Sequence, residues 1–553
     1  MKRALVVWFL SFVLFFLPAL GESARGLVFE DLNGNGQRDT SEPGIAGVAV
    51  SDGRTVVLSD ANGLYELEIE AESILFISKP AGFAVPLDEQ NRPQFYYRHY
   101  PEGSKTAGEL RFRGVDATGS LPKSVDFPLT RVVPQENFQV LLLADTQPQN
   151  EAELQFLRDD ILAELGGSDA AFGLTLGDIL YDDLALFPRY SALVSTVGIP
   201  WYNLPGNHEI NYLAKDHSHA RETFKRHFGP AYYSFNYGRV HFVALDTVHY
   251  LGQGVGREEV HPRGAGSYVG KLGDQQLEWL RQDLAAVPKN HLVVLTMHIP
   301  LASRLGADDP TINVADRREL LAQLEGRRHL LALAGHMHQS EHIYFGQEEG
   351  FAGEEALHQH TLSAASGSWW SGPLDPRGIP TAWQWDGAPN GYYLLHVDGT
   401  DARVEFRAAG KRATDQMRIV LDSAFHGALE TNLLYYRPGE LLNAPVDQEQ
   451  LHSTEVLVNL FDGGPNSRLT LRIDGGEPFP MQPVVRLDPF IEELYARYRT
   501  LVKAWVDPQP SHHLWSAPLP TDLSPGPHHL EVLAVDEYGL HHQGQRVIEV
   551  ISR

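Results

Sequence analysis

The sequence contains no cysteine. Disulfide bonds are therefore excluded, and so is a lipid-modified N-terminal cysteine. The sequence also lacks the Gly-x-Ser-x-Gly elbow of serine hydrolases and the Gly-Lys-Ser/Thr loop of nucleoside triphosphatases, so neither class has support. A chain without disulfides depends for its stability on core packing and on bound ions.

Basic residues are scarce as well. The 45 Lys and Arg residues are outnumbered by 71 Asp and Glu residues, which gives a formal net charge of −26. This charge is spread along the chain and argues against DNA or RNA as the main partner, since nucleic-acid binding usually needs a basic face. A small phosphorylated substrate stays compatible with it, because bound cations reverse the field locally.

Long apolar runs are absent after the first residues of the chain. Ala4–Leu17 is apolar, follows the basic residues Lys2 and Arg3, and precedes the small-residue segment Ala19–Gly21. This order predicts a cleaved signal peptide over residues 1–21 and export to the periplasm, the cell surface or the medium. The alternative is an uncleaved membrane anchor. No later stretch is long enough to span a bilayer, so no stable anchor is expected after cleavage.

The chain is too long for a single core, since it has 553 residues, and several domains are expected. Short alternating runs such as Gly63–Ile69 and Ile74–Ile77 predict a β-domain over residues 22–130. Residues 136–363 alternate strands with helices, which indicates an α/β domain. Residues 364–553 are β-rich, and runs such as Glu455–Phe461 and His529–Asp536 predict an immunoglobulin-like sandwich.

The β-domain carries a complete calcium-loop pattern near its start. The pattern predicts a calcium site with these ligands: Asp31, Asn33, Asn35, Gln37, Asp39 and Glu42. Gly36 stands at the sixth position, where the loop turns sharply. The flanking segments Gly26–Phe29 and Val48–Val50 resemble strands, so this is not a helical EF-hand. The alternative is a hairpin turn without an ion.

The α/β region contains a series of short apolar runs that each end at Asp, Asn, Gln or His. The runs and the polar residues after them are Leu141–Ala144 with Asp145 and Gln147, Leu174–Leu176 with Asp178, Trp201–Leu204 with Asn207 and His208, Val240–Leu245 with Asp246, Leu292–Met297 with His298, and Leu330–Ala334 with His336 and His338. Helices are predicted between them at Glu151–Leu165, Asp274–Leu284 and Ala315–Leu324. Such runs are typical of buried parallel strands, whose carboxyl ends collect ligands.

These polar residues suit a site for two divalent cations, which needs hard oxygens, imidazoles and one bridging carboxylate. One ion is predicted to bind Asp145, Gln147, Asp178 and His338. The other is predicted to bind Asp178, Asn207, His298 and His336. Asp178 would bridge the two ions. Such a pair generates a bridging hydroxide at neutral pH and neutralises charge on phosphoryl oxygens.

Residues around the predicted ligands are given supporting roles. His208 is predicted to be the general acid that protonates the departing oxygen. Asp246 is expected to order the site without binding metal. Asp182 and Asp183 are predicted to cap the helix that follows them.

Two further groups of residues allow more than one interpretation or carry no chemistry. Trp369 and Trp370 lie in a loop rich in Trp, Gly and Pro, where they either line the substrate pocket or pack at a domain boundary. The paired histidines at 512–513, 528–529 and 541–542 are expected at the surface.

The ordered motifs D-x-[HQ], GD, GNH[ED], H and GHxH resemble those of the calcineurin-like metallophosphoesterases, over roughly residues 138–406. The resemblance extends to a three-part bacterial type with a prealbumin-like N-terminal domain. It implies a four-layer α/β sandwich whose second central sheet is completed by strands within residues 360–408, flanked by the two β-rich domains. Gln147 stands where most members carry His, which leaves Mn, Fe and Zn open as the metals.

The sequence therefore predicts an exported, metal-dependent phosphoric ester hydrolase that acts on a small phosphomonoester or phosphodiester. The alternative is a cell-envelope binding or adhesion protein with a weakly active or degenerate phosphoesterase domain. The substrate and the oligomeric state are not determined by these patterns.

Overall fold

The computed structural model describes residues 21–105, 110–253, 267–427 and 441–552. The predicted signal peptide lies outside these ranges except for its last residue. In the described ranges the chain forms an N-terminal β-sandwich, a central α/β region and a C-terminal β-sandwich. No helix in these ranges combines the length and the apolar character that crossing a membrane requires.

The N-terminal sandwich contains two four-stranded sheets. Its strands are β1 (Glu22–Glu30), β2 (Ala49–Ser51), β3 (Val56–Leu58), β4 (Leu64–Ile69), β5 (Ser73–Ile77), β6 (Phe83–Ala84), β7 (Tyr96–His99) and β8 (Phe127–Arg131). One sheet has the order β4-β1-β8-β6 and the other β3-β2-β5-β7. In β4, Tyr65, Leu67 and Ile69 are buried while Glu66 and Glu68 are exposed, as the two-residue period of a half-buried strand requires.

The central region contains the strands and helices that carry the predicted ligands. Its strands are β9 (Asn137–Leu143), β10 (Phe172–Leu176), β11 (Trp201–Leu204), β12 (Tyr233–Tyr237), β13 (Val240–Ala244), β14 (Val248–Tyr250), β15 (Tyr268–Gly270), β16 (Leu292–Thr296), β17 (Leu330–Ala334), β18 (Glu341–Phe345), β19 (Leu357–Thr361), β20 (Gly391–Asp398) and β21 (Asp401–Ala408). Its helices are α1 (Glu151–Leu157), α2 (Ala163–Leu165), α3 (Phe187–Val194), α4 (His217–Ala220), α5 (Glu222–Phe228), α6 (Asp274–Ala285) and α7 (Arg317–Gln323). All the apolar runs singled out in the sequence are strands.

Two sheets form the middle of this region, with the orders β11-β10-β9-β20-β21 and β12-β13-β16-β17-β19-β18. Val140 and Leu142 of β9 pack into one core cluster with residues of the six-stranded sheet. Leu141 and Leu143 face the opposite way and pack with residues of α1 and α3. The two sheets therefore lie face to face with helices outside, which confirms the predicted α/β sandwich.

The strands β20 and β21 extend one of the two central sheets. β20 pairs antiparallel with β9, with Tyr393 opposite Leu142, so the hairpin extends the first, five-stranded sheet. The sequence predicts the β20–β21 hairpin but not its pairing with β9. Pairing between strands far apart in the chain depends on which strand lies at the edge of the sheet, and no local pattern gives that.

The C-terminal region forms a second β-sandwich, with one four-stranded and one five-stranded sheet. Its strands are β22 (Met417–Leu421), β23 (Val446–Asp447), β24 (Glu455–Leu460), β25 (Arg468–Ile473), β26 (Phe479–Pro480), β27 (Gln482–Arg486), β28 (Ser511–Pro518), β29 (Gly526–Val535) and β30 (His541–Ile551). Helix α8 (Pro489–Arg497) follows β27 and precedes β28 in the chain. The sheet orders are β22-β24-β28-β27 and β23-β30-β29-β25-β26.

Candidate metal centre

The predicted ligands lie together where strands of the two central sheets end. Asp145, Asp178 and Asn207 follow β9, β10 and β11 in one sheet, and His298 and His336 follow β16 and β17 in the other. Asp145, Asp178 and His298 are almost completely buried. Strands of both sheets run parallel here, so their carboxyl ends meet at one edge.

Several of these residues have an unusual backbone conformation. Positive φ angles are found at Asp145 (50°), Gln147 (35°), Asp178 (48°), His336 (74°) and His338 (49°). A non-glycine residue in the left-handed region costs roughly 1–3 kcal/mol and persists only where its surroundings enforce it. This conformational free energy is therefore spent at the predicted ligands, whose side chains point into the site at the ends of the strands.

Two glycines let the loops approach these side chains. A Cβ atom on Gly206 would lie 2.2 Å from Oδ1 of Asp178, and one on Gly335 would lie 2.6 Å from Oδ2 of Asp145. Both distances are far below van der Waals contact, so a side chain at either position would displace the carboxylate. The close approach of these carboxylates therefore explains why glycine stands at these positions of the GNH and GHxH motifs.

One half of the site is a close cluster of three ligand residues. Nε2 of His298 lies 3.2 Å from Oδ1 of Asp178 and 3.2 Å from Nδ1 of His336. Oδ1 of Asn207 lies 3.1 Å from the same His298 nitrogen. The ligand atoms of Asp178, His298 and His336 all lie within 4.8 Å of one another, as a metal ion would require.

The other half contains buried oxygens without a hydrogen-bond partner. Oδ1 of Asp145 and Oε1 of Gln147 are both buried and unpaired. Nε2 of His338 lies 3.6 Å from that Asp145 oxygen, and the amide of Gln147 donates to Oδ2 of Asp178 at 2.6 Å. Orphaned buried acceptors are costly, and a cation between them would remove that cost. The residues present fit a metal ion here as well.

Backbone carbonyl oxygens orient the three imidazoles. Each accepts from the ring nitrogen that faces away from the cluster: Leu176 for His298 at 2.9 Å, Gly367 for His338 at 2.9 Å, and Thr311 for His336 at 3.1 Å. Such partners fix the tautomer of a metal-binding histidine. They leave Nε2 of His298, Nε2 of His338 and Nδ1 of His336 directed into the site.

Burial and neighbouring charges set the protonation of the cluster. Burial lowers the pKa of His336 to about 3 and that of His338 to about 4, so both imidazoles are neutral. Burial raises the pKa of Asp145 to about 7. Burial also opposes ionisation of Asp178, but His298 and His208 outweigh it and hold the pKa of Asp178 below its usual value.

His208 lies beside the cluster and is held by two aspartates. Its backbone N–H donates to Oδ1 of Asp178 at 2.9 Å, and its Nδ1 lies 2.7 Å from Oδ1 of Asp182. Its ring stacks on Tyr181 at 4.5 Å. Burial lowers the pKa of His208, but Asp178 and Asp182 outweigh that effect and raise it to about 10. His208 therefore carries a proton next to the ligands.

Asp182 differs from its prediction as a helix cap. Asp183 is the cap, and its side chain accepts from the backbone N–H of Ala185 at the start of the 3₁₀ turn Leu184–Leu186. Asp182 has a φ of 59° and turns toward His208 instead. Two adjacent aspartates before a helix are a typical capping pattern. The left-handed backbone conformation of Asp182, which points the two side chains in different directions, cannot be predicted from the sequence.

Asp246 makes a buried ion pair near the ligands. Its two oxygens accept from Nε and Nη2 of Arg221 at 2.9 and 2.8 Å, and Nη1 of Arg221 donates to the carbonyl of Gly206 at 2.7 Å. Asp246 thus acts on the Gly206–Asn207 loop through Arg221. Sequence reasoning missed Arg221, because no motif marks it.

Aromatic side chains form the rim of the site. Trp369 stacks on His338 with ring centroids 3.8 Å apart, whereas Trp370 is 3% exposed and its indole N–H donates to the carbonyl of Thr146. Trp505 is 50% exposed. The centroid of its ring lies 6.1 Å from that of Tyr181 and 6.5 Å from that of Trp369. Trp505 comes from the C-terminal sandwich, and nothing near it in sequence points to the site.

The predicted calcium ligands lie in the loop between β1 and β2. Oδ1 and Oδ2 of Asp31 accept from the backbone N–H groups of Gly34 and Gly36, and both oxygens of Glu42 accept from the backbone N–H groups of Leu32 and Asp39. The amides of Asn33 and Asn35 donate to Asp39. Gln37 is exposed. The carboxylates of Asp31 and Glu42 therefore accept hydrogen bonds from backbone N–H groups of the loop itself.

Three family models match the chain. The model for the N terminal of calcineurin-like phosphoesterase matches residues 32–114, that for calcineurin-like phosphoesterase matches residues 138–340, and that for the C terminal of calcineurin-like phosphoesterase matches residues 359–542. A search of the curated proteins gives no match. Among solved structures, a purple acid phosphatase from yellow lupin (Lupinus luteus) seeds is similar at 12% identity and a TM-score of 0.34, over 70% of this chain and 67% of that chain.

The fold, the site and the three matched regions define the class of this protein as a metal-dependent phosphoric ester hydrolase. The matches cover most of the chain and occur in the order N-terminal, catalytic and C-terminal. The chain belongs to the calcineurin-like phosphoesterases, a family that depends on a dinuclear metal centre.

Proposed function

We propose that this protein is a phosphohydrolase that cleaves a phosphomonoester or phosphodiester with two divalent metal ions. The observation that carries the proposal is the pair of orphaned buried oxygens on Asp145 and Gln147, next to the Asp178–His298–His336 cluster. Carboxylate, amide and imidazole together suit Mn, Fe or Zn.

The residues would divide between two ions that share Asp178. Asp145, Gln147, Asp178 and His338 would hold the first ion, and Asp178, Asn207, His298 and His336 would hold the second. When bound, the ions lower the pKa of water and neutralise charge on the phosphoryl oxygens. The amide of Gln147 is a weaker ligand than imidazole, so the first site is the weaker of the two.

His208 supplies the proton that the departing oxygen needs. Its Nδ1 is held by Asp182, and its Nε2 lies 3.8 Å from Oδ2 of Asp178, on the side of the ligands. The pKa, raised by both aspartates, keeps Nε2 protonated before reaction. Transfer of this proton to the alkoxide avoids a charged leaving group.

The test is hydrolysis of nitrophenyl phosphate and bis-nitrophenyl phosphate with added Mn²⁺. Asp178→Asn is expected to lower kcat by more than the roughly 10–100-fold typical of outer-sphere changes, because both ions lose a ligand. Asp183→Asn is the matched control, since Asp183 lies in the same loop after β10 and caps the 3₁₀ turn Leu184–Leu186. Equal activity of Asp178→Asn and the unmodified protein would contradict the proposal.

The aromatic rim supports a substrate with a planar or apolar group on the ester oxygen. Trp505 presents half of its surface beside Tyr181, which stacks on His208. Replacing it in Trp505→Ala is expected to raise KM for an aryl phosphate and to leave KM for methyl phosphate unchanged. An equal change for both esters would show that Trp505 only supports the fold.

We also propose that the Asp31–Glu42 loop binds Ca²⁺. The buried carboxylates of Asp31 and Glu42 and the side-chain oxygens between them support this. Binding to the folded state alone adds roughly 2.7 kcal/mol of stability at 100 times the dissociation constant. Ca²⁺ should therefore raise Tm of the protein but not of Glu42→Gln. An equal increase in both proteins would contradict the assignment.

Export is a further part of the proposal, and it rests on the sequence of residues 1–21. Mass spectrometry of the protein from the cell envelope and the medium of an expressing bacterium should give an N-terminus near Glu22. A protein that starts at Met1 in the cytoplasm would contradict export, and one that starts at Met1 in the membrane would indicate an uncleaved anchor.

A further inference from the structure

A second group of metal-ligating side chains lies away from the catalytic ligands, between the six-stranded sheet and the C-terminal sandwich. His342 and His360 are directly opposite each other on the antiparallel strands β18 and β19. Asp462 follows β24 of the C-terminal sandwich. One ligand atom from each of these residues lies within 4.8 Å of the others. We name this group the seam cluster.

The strands place both imidazoles on the face that contacts the C-terminal sandwich. Cross-strand neighbours on one face are close enough to touch, and the two rings stack with centroids 4.0 Å apart. His342 is 2% exposed and His360 is 0% exposed. Burial and the neighbouring His360 hold the pKa of His342 well below its usual value, so this imidazole is neutral.

The nitrogens that could bind an ion face a single carboxylate. Nε2 of His360 lies 2.9 Å from Oδ1 of Asp462, and Nε2 of His342 lies 4.0 Å from the same oxygen. Tetrahedral zinc with nitrogen and oxygen ligands at 2.0–2.2 Å separates its ligand atoms by about 3.3 Å. The observed distances lie on either side of that value, so a small movement of the His342 ring would close the site.

The opposite nitrogens of both rings are already held. Nδ1 of His360 lies 2.9 Å from the hydroxyl of Tyr538, and Nδ1 of His342 lies 3.0 Å from Nε2 of His358. In this structure each Nε2–H donates to Asp462, that of His360 to Oδ1 and that of His342 to the backbone carbonyl. Zn²⁺ would replace these protons, and Nδ1–H of each ring would then donate to Tyr538 or His358, the kind of partner that orients a metal-binding imidazole. Oδ1 of Asp462 also accepts from Ser340 at 2.6 Å and from Tyr393 at 3.3 Å, which orients the carboxylate.

We propose that the seam cluster is a third transition-metal site, which binds Zn²⁺ through Nε2 of His342, Nε2 of His360 and the carboxylate of Asp462. Two nitrogens among three ligands favour zinc over Ca²⁺ or Mg²⁺. The carbonyl of Asp462, 3.3 Å from Nε2 of His342, or a water molecule would complete the coordination. The side chain of Asp462 is 11% exposed, so the cluster is not fully sealed from solvent.

The ion would fasten the C-terminal sandwich to the catalytic sheet. β17, which leads to His336 and His338, pairs with β19 in that sheet, and the sandwich carries Trp505 to the rim of the active site. Cysteine is absent, so a metal ion is one of few ways to cross-link the two parts. Zn²⁺ at the seam would stabilise this arrangement by binding only when both parts are in place.

The experiment counts zinc ions in the full-length protein. Chelator-treated protein is reloaded with Zn²⁺, freed of excess ion and subjected to elemental analysis. The unmodified chain should bind one more zinc per molecule than His360→Gln and Asp462→Asn. His396→Gln is the matched control, because His396 pairs with Glu405 on β21, outside the cluster. Zn²⁺ should raise Tm of the unmodified protein and of the control above that of both seam variants.

Two outcomes would overturn the proposal. One is an equal zinc content in the unmodified chain and both seam variants. The other is a crystal of the zinc-loaded, unmodified protein without an anomalous peak between His342 and His360; this measurement does not depend on the stability of any variant. Hydrolysis of nitrophenyl phosphate should persist in both seam variants, since the catalytic ligands are untouched.

Discussion

Asp182 and His208 illustrate how a single backbone angle sets a functional contact. The φ of 59° at Asp182 carries its carboxylate to Nδ1 of His208. An aspartate on one imidazole nitrogen fixes the tautomer and stabilises the protonated ring. Asp182 is therefore a positioning residue for the general acid, and the neighbouring Asp183 is not.

We expect Asp182→Asn to lower kcat for nitrophenyl phosphate by roughly 10–100-fold, with little change in KM. Loss of a negative charge favours neutral imidazole and lowers the pKa of His208. The alkaline limb of the kcat–pH profile should therefore move to lower pH, a shift that mere loosening of the fold would not produce. Asp183→Asn should keep both the rate and the profile, and an unchanged profile in Asp182→Asn would contradict this role.

Gly206 gives a steric prediction at the same scale. In Gly206→Ala the new Cβ would lie 2.2 Å from Oδ1 of Asp178, so the carboxylate must move. We expect lower metal content by elemental analysis together with lower activity. Gly166→Ala is the control, because a Cβ added there would meet no atom within 4 Å and the φ of Gly166 is ordinary. Full metal content in Gly206→Ala would show that the loop relaxes freely.

At the scale of elements, the segment Glu151–Leu165 shows where periodicity stops being informative. The apolar stripe predicts one helix, and the structure has α1, a π-helical turn over Arg158–Leu162, and α2. The turn includes buried Asp160, which accepts from the amide of Asn390 at 2.8 Å and pairs with Arg377. A π turn depends on such distant partners, so the stripe alone does not reveal it.

The two faces of β9 give a prediction about packing. Leu142 is fully buried between the two sheets, and Leu142→Ala should lower the free energy of unfolding by about 2–5 kcal/mol through lost burial and a residual cavity. Leu374→Ala, at a half-exposed leucine, should change it by less than roughly 0.5 kcal/mol. Urea denaturation gives both values, and equal effects would contradict the packing of β9.

At the scale of the whole molecule, the sequence predicts the strands that local residue patterns mark, and it does not predict contacts between residues far apart in the chain. Apolar runs ending in ligand-type residues locate the central strands, because burial and the strand-end site both leave a local pattern. The partner of β20, the rim position of Trp505 and the burial of His513 leave none. His513 and His528 are expected at the surface but are buried, with a ring nitrogen 2.8 Å from Oδ2 of Asp386 and 2.6 Å from Oδ2 of Asp474. Each partner comes from a distant part of the chain.

The contact between the N-terminal sandwich and the central region predicts sensitivity to acid. Arg92 donates to the carbonyl of His227 at 2.9 Å; burial, and then Arg226 and Arg92, lower the pKa of His227 to about 4. An unfolded histidine has a pKa of about 6.5. The unfolded chain therefore binds this proton first, so stability present above about pH 6.5 is lost as the pH falls toward 4.

We expect this histidine to account for about 1–2 kcal/mol of the loss between pH 7.5 and pH 5. Urea denaturation at the two pH values should show a smaller loss in His227→Gln than in the unmodified protein. His452→Gln is the control, because His452 is exposed. An equal loss in His227→Gln and the unmodified protein would exclude His227 as the source.

The antiparallel pairing of β20 with β9 has a consequence for biosynthesis. β9 ends at Leu143 and its neighbour begins at Gly391, so the nascent chain carries an open strand edge until the ribosome has made nearly three quarters of the polypeptide. Unpaired edges recruit other strands. The time for which this edge stays open during synthesis would therefore influence how much of the chain folds rather than associates with other chains.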